Sequence, residues 1–239
     1  QAVFIRDYLA PTLRQAGLAT RILIFDHNWD LVDYPLTVLA DPTVAAVVDG
    51  VAFHCYGGDV SAQSLVRQAY PDKDIWFTEC SGGEWSTDFG ANIIWNVRNL
   101  VVGNMRHWGN SLLFWNLALD EHAGPQNGGC TNCRGVITIN TQTGAVTYNE
   151  EYYVLGHVSK FVRPGAVRVD STAPGDGVPL NVAFRNPDGS LVLIVLTERS
   201  LNLAVTWREQ RTTLALPDQA LVTIVLSPNH DGGNSPVRY

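Results

Sequence analysis

The chain has 239 residues, 46% of them hydrophobic and 16% charged, with a formal net charge of −7. Such a balance buries a sizeable core and speaks against disorder, while the acidic surplus without a Lys/Arg run speaks against a nucleic-acid partner. The longest apolar run, Leu191 to Leu196, is strand-sized, so no membrane span is expected.

Apolar residues at Phe4, Ile5, Tyr8, Leu9 and Leu13 fall at helix spacing, and Gly17 is placed to end that helix. Arg21 to Phe25 reads as a buried strand, followed by the polar, aromatic exit Asp26-His27-Asn28-Trp29-Asp30. Asp41-Pro42 opens a helical segment as N-cap and N1, and Asp49-Gly50 closes the turn behind it. Val51 to Tyr56 is a second strand, Gly57-Gly58-Asp59 its exit, and a helix is expected from Ser61 to Tyr70. The third unit is the run Asp74-Ile75-Trp76-Phe77-Thr78-Glu79, which breaks into Cys80-Ser81-Gly82-Gly83. Behind it a long helix carries Ile93, Ile94, Val97, Leu100, Val101 and Met105 on one face, with Gly109 as its stop. Leu112 to Leu117 is the fourth strand, with a long exit loop from Ala118 to Arg134. Strand Val136 to Ile139 and a helix from Tyr152 to Phe161 follow.

Four strand-then-helix units in a row imply a parallel sheet with helices outside, half of a closed eight-stranded barrel. The two open edges of a half barrel need cover, so an N-terminal half or another copy is expected against them. From Ala166 the helical period disappears, and short strands alternate with turns such as Asn186-Pro187-Asp188-Gly189. The expected domains are a partial barrel over 1-163 and an antiparallel β domain over 164-239, with a loosely held polar tail from Pro228 to Tyr239.

Chemistry in such barrels gathers at the C-terminal ends of the strands. Those ends carry Asp26, His27, Asn28, Trp29, His54, Tyr56, Glu79, Trp115 and Asn116. A buried carboxylate such as Glu79 is costly unless it is hydrogen-bonded or used; its alternatives are a structural tie to an Arg or to loop amides, and a catalytic role. One carboxylate among neutral hydrogen-bonding groups and aromatic walls is the inventory of a glycoside site. His54 can equally be a core histidine with satisfied nitrogens, and Asp26, His27 and His54 lack compact metal-ligand spacing, so neither metal nor cofactor is expected. Trp115 and Asn116 cannot both face inward from a regular strand, which calls for a local twist or bulge. Cys130-x-x-Cys133 can be half a zinc site, a redox pair or a tight disulfide; a loop disulfide is preferred for an exported protein, with Cys55 and Cys80 as buried free thiols.

Phe77-Thr78-Glu79-Cys80, His54-Cys55-Tyr56, Phe114-Trp115-Asn116-Leu117-Ala118-Leu119-Asp120 and the run from Tyr153 to Phe161 (Tyr-Val-Leu-Gly-His-Val-Ser-Lys-Phe) together resemble glycoside hydrolase family 30, which includes glucosylceramidases and endo-β-1,6-glucanases. The resemblance implies an α/β chain, the C-terminal half (strands five to eight) of a (β/α)8 TIM barrel followed by an antiparallel β-sandwich, and a retaining double displacement on a β-linked glycoside, glycan or glycolipid. By position Glu79 resembles the nucleophile, His54 and Tyr56 the residues lining the adjacent sugar subsite, Trp115 the stacking tryptophan, and Asn28 and Trp29 part of the strand-five exit. The family's acid/base is the Glu of an Asn-Glu-Pro motif at the end of strand four. This sequence has no Asn-Glu-Pro, so the acid/base is expected shortly before Gln1, on a longer protein that is secreted or otherwise extracytoplasmic. The alternative is a non-catalytic sugar-binding protein or an inactive remnant.

Overall fold

The computed structural model describes residues 1-175 and 177-228; the tail expected beyond Pro228 lies outside them. The chain divides into two compact units, Gln1–Tyr152 and Tyr153 onward.

The first unit opens with helix α1, residues 2-15. Its middle turn, Ile5–Leu9, is widened to a π-helical pattern just ahead of Pro11, which has no N–H to give the turn before it. Gly17, at φ +66°, ends the helix as its spacing predicts, with the Leu18 amide returning to the Leu13 carbonyl at 3.0 Å. Strand β1 is Leu23–Asn28, followed by the short helices α2 (Asp33–Leu39) and α3 (Pro42–Ala45). Asp41 caps α3 by accepting the Thr43 amide at 2.9 Å. Strand β2 is Gly50–His54, helix α4 Ala62–Ala69 and strand β3 Asp74–Glu79.

These three strands form a parallel sheet in the order β1-β2-β3. The central strand β2 is buried at every position, as a strand covered on both faces must be. β1 runs through the polar residues Asp26, His27 and Asn28 because its pairing with β2 continues to Asn28↔His54. Gly50, expected in a turn, instead begins β2: a Cβ there would meet the Asp74 carbonyl oxygen at 2.5 Å, a clearance only glycine allows.

After the two-residue strand β4 (Gly82–Gly83) comes helix α5, residues 89-106, capped by Asp88 through the Ala91 amide at 2.8 Å. Its turn Val97–Gly103 is π-helical and buries Val97, Leu100, Val101 and Val102. The helix ends at Arg106, and the left-handed residue behind it is Trp108 (φ 75°), where Gly109 had been expected to provide the stop. The Gly109 amide donates to the Asn104 carbonyl at 2.8 Å, and the Asn104 side chain is itself tied down: Gln63 Nε2 donates to its Oδ1 at 2.9 Å, and its Nδ2 to the Ser111 carbonyl at 2.8 Å.

Leu112 to Leu117 does lie along β3, but not as a regular strand. The amides of Asn110, Leu113 and Trp115 reach the carbonyls of Ile75, Phe77 and Cys80 at 2.8, 3.3 and 2.9 Å. The steps are unequal on the two sides, so no continuous ladder forms. Regular pairing resumes at β5 (Ala118–Asp120); β6 (Cys133–Arg134) pairs with β4, while β7 (Ile137–Ile139) lies between β5 and β8 (Val146–Tyr148). The core of the unit gathers Ile24, Val51, Phe53, Ile75, Phe77 and Leu100, each at most 1% exposed.

Helix α6 is Glu150–Ser159, and the second unit continues with β9 (Val167–Val169), β10 (Leu180–Arg185), β11 (Leu191–Thr197), β12 (Leu201–Trp207), β13 (Gln210–Leu216) and β14 (Ala220–Leu226). Four of these strands form an antiparallel sheet in the order β14-β11-β10-β9, and β12 pairs with β13. The predicted turn at Asn186 to Gly189 joins β10 to β11, with Gly189 at φ +83° and the Ser190 amide on Asp188 Oδ1 at 2.9 Å.

Candidate active site

Glu79 ends β3, with its side chain one-third exposed. The Tyr56 phenol donates to its Oε1 at 3.0 Å. Tyr56 follows β2 by two residues, and its backbone amide is fixed by Asn28 Oδ1, at the end of β1, at 3.1 Å. Burial, then the charge of Glu79 and the hydrogen bond to it, push the phenol well above its ordinary pKa, so it stays a donor. A carboxylate held through one oxygen keeps the other for nucleophilic attack.

His54 ends β2 directly opposite Glu79 in the pairing. Its Nδ1 stands 3.9 Å from Glu79 Oε1 and its Nε2 lies 2.9 Å from Asp26 Oδ1. The same Asp26 oxygen accepts the Thr78 hydroxyl at 2.7 Å. Burial pushes the Asp26 carboxyl up, but the hydrogen bonds from Thr78 and His54 and the charges of His54 and His27 outweigh it, leaving the group below the usual carboxylate range.

Cys55 and Cys80, read from the sequence as buried free thiols, are joined in a disulfide with Cα atoms 5.4 Å apart. Each immediately follows a member of the facing pair His54↔Glu79, so adjacent parallel strands bring the two sulfurs together. The bond ties the strand end carrying His54 to the one carrying Glu79. Cys130 and Cys133 form a second disulfide in the loop whose β6 pairs with β4 after Glu79. Arg134, next to it, is held by Glu150 and by Glu151 at 3.0 Å.

Of the residues singled out from sequence, the structure brings Glu79, His54 and Tyr56 together and adds Asn28 as the anchor of Tyr56. Trp29 departs from its expected place on the sugar side: it is 2% exposed and its ring packs on Phe77 at 5.7 Å, because the chain turns into a 3₁₀ helix at that residue and carries the indole into the core. Trp115 is partly buried, its amide bound to the Cys80 carbonyl beside Glu79 at 2.9 Å. Asn116 turns its Oδ1 to the Ala118 amide at 3.1 Å; the irregular path of this segment is the local twist that the pair of residues required. Asp26 in direct contact with His54, Thr78 beneath it and the Cys55–Cys80 bond were not anticipated. The signal available for the disulfide was that both cysteines sit one position beyond a site residue on neighbouring strands.

A parallel β/α unit with a tethered carboxylate at its strand ends, followed by an antiparallel β unit, is the make-up of a TIM-barrel protein carrying a β-sandwich. The description "Glycosyl hydrolase family 30 TIM-barrel domain" matches residues 1–162, and "Glycosyl hydrolase family 30 beta sandwich domain" matches 165–224. The chain belongs to glycosyl hydrolase family 30. It is 34% identical over 204 residues to Endo-1,6-beta-D-glucanase BGN16.3 of Trichoderma harzianum, covering 82% of this chain and 39% of that protein. Lysosomal acid glucosylceramidase of Mus musculus is 28% identical over 224 residues, covering 86% and 42%. The solved endo-beta1,6-glucanase BT3312 superposes with a TM-score of 0.87 at 31% identity, over 93% of this chain and 52% of that one. The chain thus spans about half, or less, of the proteins it matches.

Proposed function

We propose that this chain supplies the nucleophile side of a retaining β-glycoside hydrolase, acting on a β-1,6-linked glucan in preference to a glucosylceramide. The observation that carries this reading is Glu79 at a strand mouth, held through one oxygen by Tyr56 and flanked by His54. Glu79 attacks the anomeric carbon as the glycosidic bond to the leaving oxygen breaks, and a carboxylic acid protonates that oxygen. Water then attacks the glycosyl-enzyme ester, giving up its proton to the same carboxyl group, now a base, and Glu79 is released. That acid/base is assigned to sequence before Gln1, and the barrel part to 1-163 with the sandwich from 164. The glucan is preferred because three relatives named as endo-1,6-beta-D-glucanases stand at 32–34% identity, against 26–32% for those named as glucosylceramidases.

Two disulfides favour assembly in an oxidising, extracytoplasmic compartment. Among the described residues no helix is long and apolar enough to cross a membrane.

The test is treatment of the full-length protein carrying this chain with a 2-deoxy-2-fluoro-β-glucoside bearing a good leaving group, followed by intact mass and peptide mapping. A single fluoroglucosyl adduct on Glu79, absent in Glu79→Gln, is the expected result. An adduct on another residue overturns the assignment, and sugar binding with neither adduct nor turnover favours the non-catalytic alternative.

A further inference from the structure

The pairings on both sides of β2 slip by one residue near the site. Between β1 and β2 the register passes from Phe25↔Ala52 to His27↔Phe53, leaving Asp26 as the extra residue. Between β2 and β3 it passes from Phe53↔Phe77 to His54↔Glu79, leaving Thr78. These two extra residues, on opposite sides of β2, meet each other: Thr78 Oγ1 donates to Asp26 Oδ1 at 2.7 Å, beside the His54 Nε2 contact at 2.9 Å. The arrangement is held against backbone preference, since Phe25 and Asp26 both have positive φ, 79° and 58°. Non-glycine residues in that region cost about 1–3 kcal/mol each and persist where the surroundings over-determine them.

We propose that Asp26, braced by Thr78, is a positioning residue for Glu79 and acts through His54; the proposal rests on the reading of Glu79 as nucleophile. An ionised Asp26 only accepts hydrogen bonds, so it keeps the proton of His54 on Nε2 and fixes the plane of the imidazole. The ring is 11% exposed along its side chain and stands edge-on to Tyr56, 6.1 Å between centroids at 85°. Its Nδ1 edge then stands 3.9 Å from Glu79 Oε1, the same oxygen that accepts the Tyr56 phenol at 3.0 Å. Bounded at this oxygen by both groups, the carboxylate is held near its line of attack, where a displacement of about 1 Å costs about a hundredfold in rate.

The test uses the full-length protein with Asp26→Asn, Thr78→Val and Thr78→Ser. Three readouts are taken: the rate of fluoroglucosyl labelling of Glu79, kcat and KM on the glycan, and the His54 tautomer from ¹⁵N imidazole shifts. Asp26→Asn is expected to slow labelling and kcat about a hundredfold, to leave KM within twofold, and to reduce the Nε2–H tautomer. Thr78→Val, which keeps the shape but loses the hydroxyl, is expected to slow labelling about tenfold, with Thr78→Ser recovering it. A raised KM with normal labelling in Asp26→Asn makes Asp26 a substrate contact and overturns the proposal. So does an unchanged His54 tautomer, or a Thr78→Val protein equal to wild type beside an impaired Thr78→Ser. Wild-type labelling at Glu79 with undiminished labelling in Asp26→Asn overturns the positioning role alone; a wild-type protein that neither labels nor turns over glycan overturns both readings.

Discussion

Along β11 the antiparallel pairing with β14 runs through seven consecutive residues, from Leu191↔Leu226 to Thr197↔Ala220, and β12 pairs with β13 through seven more without a slip. In the barrel unit neither pairing of β2 reaches its end intact: both shift at the last turn of the strands, at Asp26 and at Thr78. The β unit has only to bury its inner face, and alternation does that best when the register is unbroken. The barrel unit must also aim side chains at a mouth, and a bulge re-aims them at the expense of regular pairing. Irregularity is thus concentrated where the candidate chemistry lies.

This contrast can be broken from either side. The largest effect is expected from Glu79→Gln, which should lower turnover on the order of 10⁴-fold or more while leaving the thermal midpoint nearly unchanged; a variant with appreciable turnover on every β-glucoside tried would refute the nucleophile. Replacing Cys55 and Cys80 together by Ser should cost about 3.5 kcal/mol in denaturant unfolding, the loop-closure value for a separation of 25 residues. Ile194→Ala, at a fully buried position of the β unit, should cost about 3 kcal/mol without altering the labelling rate of Glu79. Loss of stability and loss of labelling would then separate between the two units. Tyr56→Phe removes one hydrogen bond to a carboxylate and should slow labelling by about thirtyfold, the equivalent of about 2 kcal/mol. The smallest effect concerns pH. Burial depresses the pKa of His157, whose Nδ1 lies 2.9 Å from the Thr223 hydroxyl. A depressed base contributes stability above its unfolded pKa near 6.5 that is lost as pH falls toward the folded value. His157→Gln should flatten the unfolding midpoint measured between pH 7 and 5.

Much of this was legible in the sequence. The order of strands and helices followed from apolar runs, and Glu79 stood out as an acid ending a buried run. The helix caps at Asp41 and the turn at Gly189 follow local chemistry that a sequence displays directly. What could not be read was register. Hydropathy places Glu79 at a strand end, but a one-residue slip decides whether it faces His54 or Cys55. Trp29, polar-flanked and aromatic, looks like a sugar platform until the turn into a 3₁₀ helix carries it onto Phe77. The Cys55–Cys80 bond is a relation between strands, invisible to spacing within either one. Leu112 to Leu117 reads as a strand by composition, yet its uneven bonds to β3 leave it outside any regular ladder.

The slip at Thr78 also bears on how this stretch can vary. Because the pairing reaches His54↔Glu79 only by passing over one residue, the count of residues between Phe77 and Glu79 is itself part of the site. An in-frame loss of the Thr78 codon would bring the carboxylate opposite His54 in unbroken register, but would remove the bulge and with it the hydroxyl that meets Asp26. A change of length at this point therefore acts on the bulge, whereas a substitution of Thr78 acts on the hydroxyl alone.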